Sequence, residues 1–99
     1  MEEPFPVGPL VWDDWNRDHI AKHGVLADEA QDVADGDRLT LRSYKGRSVL
    51  IGRSRLNRIL AVVVGPDPNR AGAYYCFSAR PASRRERRSY QAQFGGNWT

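Results

Sequence analysis

Leu39-Thr40-Leu41-Arg42-Ser43-Tyr44-Lys45-Gly46-Arg47-Ser48-Val49-Leu50-Ile51-Gly52-Arg53-Ser54-Arg55-Leu56-Asn57-Arg58-Ile59-Leu60-Ala61-Val62-Val63-Val64 is the stretch that decides the fold. Residues 39–44 alternate, Leu39 and Leu41 against Thr40 and Arg42, which is the period of a strand with one buried face. Lys45-Gly46 is a turn, residues 47–53 carry Val49 and Ile51, and residues 54–57 are a second turn. Residues 58–64 are the most apolar segment and are expected to form the central strand. Residues 65–72, with two prolines, Asp67 and Asn69, read as a long loop. Residues 74–79 are the last strand. Three to four strands joined by short turns predict an antiparallel meander.

Upstream the period changes. Residues 1–9 contain Pro4, Pro6, Gly8 and Pro9 and read as an irregular lead-in. Residues 10–12 are a short extended piece. Asp13 reads as the N-cap of a helix over residues 14–23, with Gly24 at the left-handed position that ends it. A second helix is expected over residues 27–34, ended by Asp35-Gly36-Asp37. Downstream, Ser83 and Glu86 form a capping box for a helix over residues 84–93. Its large apolar residues, Tyr90 and Phe94, make one narrow stripe that leaves the arginines exposed. Gly95-Gly96 ends it, and residues 95–99 are a tail. The expected class is α+β: a small antiparallel sheet, two N-terminal helices and one C-terminal helix in one domain over residues 10–94.

Charge is divided along the chain. Residues 1–37 hold ten acids against two bases, and residues 38–99 hold thirteen bases against two acids. The halves carry −8 and +11, which sum to the net +3. Such asymmetry points to a polyanion, most often nucleic acid. The peak is Arg84, Arg85, Arg87 and Arg88, and further bases (Arg42, Lys45, Arg47, Arg53, Arg55, Arg58) precede it. No cofactor is expected. The single Cys76 lies in an aromatic run and reads as a small buried hydrophobe. His19 and His23 stand at i, i+4 without a third ligand, so no metal site is expected. The N-terminus is acidic and no apolar run exceeds the six residues 59–64, so a cytoplasmic, soluble protein is expected, with no membrane partner. Asn97-Trp98-Thr99 matches a glycosylation sequon and reads as chance.

Abundant Arg, Lys, His and Tyr can cleave RNA without a metal, because RNA supplies its own 2′-OH nucleophile. The protein must orient that hydroxyl, stabilise charge on the phosphoryl oxygens and move protons. Arginine suits the second task and histidine the third. Each residue also has a structural reading. His23 hydrogen-bonds the last carbonyls of its helix, Arg80 pairs with Glu86 or an N-terminal Asp, Tyr90 is core, and Trp12 and Trp15 are packing residues. For single residues these readings are favoured; for the ensemble a nucleic-acid surface is.

Trp12-Asp13-x-Trp15-Asn16-x-x-His19-Ile20-x-x-His23-Gly24-Val25, followed by Glu29, resembles the opening of the BrnT family of bacterial toxins. Gly52-Arg53 with Arg58-Ile59-Leu60 resembles its middle strands, and Ser78-Ala79-Arg80-x-x-Ser83-x-x-Glu86-Arg87-x-x-Tyr90 its closing strand-to-helix motif. The resemblance implies a RelE-like ribonuclease toxin of a type II toxin–antitoxin pair, neutralised by a small DNA-binding antitoxin. It implies a growth-inhibiting endoribonuclease acting on single-stranded mRNA. Arg80, His23, Arg53 and Lys22 are the catalytic candidates it carries over. Arg84, Arg85, Arg87, Arg88 and Arg58 are the RNA-binding candidates. Pro81, where many relatives have a charged residue, and the loop at residues 65–72 depart from the pattern. Two alternatives stand beside the enzyme: a basic module that holds nucleic acid uncut, and a degenerate toxin that only binds its antitoxin.

Overall fold

β4 (Ile59–Pro66) lies at the centre of the sheet and is covered along much of its length on both faces. Leu60, Val62 and Val64 point to one face; Ile59, Ala61 and Val63 point to the other. A strand sandwiched this way reads as a continuous apolar run. In the computed structural model, residues 8–95 are described. Around β4 lie β1 (Leu10–Val11), β2 (Arg38–Arg42), β3 (Ser48–Arg53) and β5 (Tyr74–Pro81), in the order β1-β5-β4-β3-β2. The helices are α1 (Asp14–Ala21), α2 (Ala27–Asp35) and α3 (Arg84–Phe94).

The α+β class is as expected, but the sheet is not a three- to four-stranded antiparallel one. It has five strands and is mixed. β2 to β5 form the antiparallel meander, and Leu10-Val11 adds a parallel edge against Tyr74 and Tyr75. Two residues are too few to show alternation, so this strand exists by tertiary pairing alone. Asn16 fixes it: its amide donates to the carbonyls of Val11 at 2.9 Å and Cys76 at 3.1 Å, tying α1 to β1 and to its neighbour β5. The loop at residues 65–72 is also shorter than expected. Gly65 and Pro66 belong to β4, paired with Tyr75 and Tyr74. The remainder closes on Asp67, whose backbone N–H donates to the Ala73 carbonyl and whose carboxylate accepts from Asn69 N–H.

α1 stops at Ala21, two residues before the expected end. His23, Gly24 and Val25 N–H groups fold back on Ile20 and Ala21 carbonyls, with Gly24 at φ +77°. Only glycine takes that conformation without strain. The Asp13 cap and the Ser83–Glu86 capping box are both present. α1 and α2 cover the Leu60 face through Ile20, Val33 and Ala30. α3 covers only part of the opposite face: Tyr90 packs with Ile51, Ile59 and Ala61. Residues 1–7 and 96–99, which include most of the expected lead-in and tail and the Asn97 sequon, lie outside the described residues. Among the described residues, no helix is long and apolar enough to cross a membrane.

Candidate nucleic-acid interface

The α3 face of the sheet is built in cross-strand rows. Leu39, Ile51, Ala61 and Arg80 form one row; Leu41, Val49, Val63 and Ser78 form the next. α3 lies over the first. Cover thins at the second, where Leu41 is 48% exposed and Val49, Val63 and Ser78 are half-buried. A bulge follows. Val63 pairs with Ser78 but Val64 pairs with Cys76, so Phe77 is the extra residue. Bulges re-aim side chains. Here Phe77 reaches over Gly65 on the same face as Ser78, and the Arg47 guanidinium carbon lies 3.8 Å above the Phe77 ring centre. A Cβ on Gly65 would come within 3.1 Å of Phe77 and 3.2 Å of Arg47, which is why glycine stands there. The result is an apolar floor with a cation stacked at one end and the arginine helix at the other.

Arg84, Arg85 and Arg88 stand exposed on α3. Arg87 is exposed too, but donates to the Ala82 carbonyl at 2.8 Å, which ties it to the residue before the Ser83 cap. Arg80 projects from β5 beside them. Its fork is filled: Nη1 and Nη2 donate to Glu86 Oε1 and Oε2 at 2.7 and 2.9 Å. Glu86 Oε1 also accepts from Ser83 N–H at 2.7 Å. The Arg80 fork is the main reason that the Glu86 carboxyl is held down at about 2, and the Ser83 contacts add to it. The pairing of Arg80 with Glu86 is one of the two structural readings the sequence offers.

Arg58 is committed elsewhere. Its Nε and Nη2 donate to Glu29 at 3.0 and 2.7 Å, and Nη2 also donates to the Gly24 carbonyl at 2.7 Å. Glu29 is 1% exposed. Burial pushes its carboxyl up, but Arg58, Ser54 and the Leu26 N–H outweigh burial, and the net shift is downward. Arg55 likewise donates Nε and its backbone N–H to Asp32 at 2.9 and 2.8 Å. The acids of α2 thus neutralise the bases of the β3–β4 turn. Much of the charge division along the chain closes on itself in space, and the positive surface that remains is concentrated on α3 and the open sheet.

The four catalytic candidates share one end of the sheet, where β3 and β5 end and β4 begins, but they divide between its faces. Arg80 and Arg53 are on the α3 face, with Arg53 donating to Asn57 at 3.2 Å. Lys22 and His23 are exposed at the end of α1 on the other face. The Arg58–Gly24 bond joins that loop to the β3–β4 turn. Among the described residues, no group of three His, Cys, Asp or Glu is placed to hold a metal ion. Cys76 is fully buried, and burial pushes its thiol up to about 12.

Arg47, Phe77, Val63 and Ser78 were not among the expected site residues. The alternation of residues 47–53 carries a signal for Arg47, whereas the facing of Phe77 depends on the bulge and has none. No family model, curated protein or solved structure matches this chain.

Proposed function

We propose that this chain is a BrnT-type ribonuclease toxin: a cytoplasmic, metal-independent endoribonuclease that draws single-stranded mRNA across the open half of the sheet beside α3. The observation that supports this best is the placement of exposed Arg84, Arg85 and Arg88 next to an uncovered floor bearing the Arg47–Phe77 stack. Arginines hold phosphates without regard to sequence, and aromatic and guanidinium planes accept unpaired bases. Arg80 is the candidate for stabilising charge on the phosphoryl oxygens, by exchanging Glu86 for phosphate. Lys22 and His23, at the same end of the sheet but on its other face, are the candidates for moving a proton where the RNA bends round that end, and Arg53 is the candidate for steadying it there. A small antitoxin would silence the protein by covering the same basic surface.

The test is cleavage of single-stranded RNA in EDTA. Arg80→Ala is expected to lower the rate about a hundredfold or more while the protein stays folded. Normal cleavage by that variant places the chemistry elsewhere. The filled fork of Arg80 favours a second reading, a module that binds RNA uncut; salt-sensitive binding with no products from the wild-type protein is its signature.

A further inference from the structure

Trp15, assigned to packing by its sequence context, is 59% exposed. Its indole stacks on His19, with centroids 4.8 Å apart and planes 10° from parallel, and His19 meets His23 edge to face at 5.8 Å. Trp12, in contrast, is half-buried against the core and has Arg17 over its ring at 5.8 Å. Phe77 has Arg47. Trp15 is the most exposed of these three rings, and among the described residues no cation lies on its free face. Asp14 and Asp18 are exposed on the adjoining strip of α1, and no cation among the described residues engages either carboxylate.

From this we infer that the Trp15–His19 stack on α1 is a docking point for an arginine-bearing segment of another protein, whose guanidinium lies on the open indole face between Asp14 and Asp18. This goes beyond the ribonuclease reading and does not depend on it. The occupant follows from charge. An indole face attracts a cation, and two flanking carboxylates add to the attraction. The same carboxylates repel the phosphates of a nucleic acid, and the exposed arginines of α3 lie on the opposite side of the sheet. Residues 1–7 and 96–99 contain no Arg or Lys, so neither stretch supplies a guanidinium. A second copy could offer its α3 arginines. But α1 and α3 lie on opposite faces of the sheet, so that contact would be head to tail, making a ring or an open chain, and would occupy the α3 arginines of the copies it joins. A different polypeptide is the remaining choice, and it leaves α3 free.

The experiment is calorimetric titration of the full chain with three probes: an oligo-arginine peptide, an oligo-lysine peptide of equal length, and oligouridylate. The arginine peptide is expected to bind more tightly than the lysine peptide. Trp15→Ala is expected to weaken it about tenfold, and Trp15→Phe to retain part of the affinity. Asp14→Asn/Asp18→Asn is expected to weaken both peptides. Oligouridylate binding is expected to be the same in Trp15→Ala as in wild type. Equal peptide binding by Trp15→Ala overturns the inference. So does loss of oligouridylate binding in that variant, which would make Trp15 a base platform. Self-association of the wild type that Trp15→Ala abolishes would assign the surface to a second copy, and the inference fails there too.

Discussion

Replacing Glu86 with Gln separates two jobs that one carboxylate performs. Gln keeps the side-chain oxygen that accepts from Ser83 N–H, so the cap survives. The charge that holds Arg80 is lost. Lowering the carboxyl from 4.5 to about 2 corresponds to at most about 3.4 kcal/mol. The Arg80 side chain is 43% exposed against 19% for Glu86, so solvent screens the pair. A realistic loss is about 1–2 kcal/mol, or roughly 4–10 °C in Tm. The folded carboxyl titrates below the unfolded one. Its contribution is therefore complete above about pH 4.5 and lost as pH falls toward 2. Urea titrations of both proteins from pH 7 down to pH 2 are expected to show a gap that closes over this window. The freed Arg80 is expected to take a phosphate, raising RNA affinity and steepening the log K against log salt slope by about 0.7. A stability gap that stays constant to pH 2 would refute the ion-pair account. Unchanged RNA binding would mean that Arg80 does not face the RNA.

Arg84→Glu/Arg88→Glu is expected to weaken binding to all single-stranded RNAs alike and to flatten the salt slope by at least about 1.4; filter binding at several salt concentrations reads this. Arg58→Met leaves the buried Glu29 charge without its cation and is expected to cost about 2–4 kcal/mol in urea denaturation at pH 7. The cost is expected to shrink in acid, where Glu29 is protonated. Asn16→Ala leaves two carbonyls without their donor and is expected to cost about 2–3 kcal/mol, with hydrogen exchange speeding first at the β1–β5 edge. Gly65→Ala is expected to displace the Arg47–Phe77 stack and reduce RNA affinity while Tm falls by only a few degrees, about 1 kcal/mol of overpacking.

The meander was legible because β2 and β3 show their faces in local alternation, β4 is an unbroken apolar run, and the turns carry Gly, Asn and Lys. The helix caps were legible for a similar reason: Asp13 and Ser83 act on atoms within three residues. What escaped depends on distance. β1 exists because Asn16, 60 positions from Cys76, bonds both its carbonyl and that of Val11. Arg58 looked like a surface base, since nothing near it in sequence shows that Glu29, 29 positions away, will bury beneath it. Arg80–Glu86 was readable as a pair at short range. Trp15 misled in the other direction. It adjoins buried Asn16, and a tryptophan beside a core position usually packs.

The extra residue at Phe77 lets β5 change phase partway along. Toward Pro81 the strand alternates in one parity, sending Arg80 and Ser78 to the α3 side and Ala79 to the core. Toward Tyr74 it alternates in the other, returning Cys76 to the core. A strand without this shift would have to choose between aiming Arg80 outward and burying Cys76. Deleting Phe77 would force that choice, since one missing residue inverts half the strand. The segment therefore tolerates exchange of side chains far better than a change in length. A deletion scan through residues 74–81 should show the loss of folding beginning at the bulge, while substitutions at Phe77 itself remain soluble and report only on the open face.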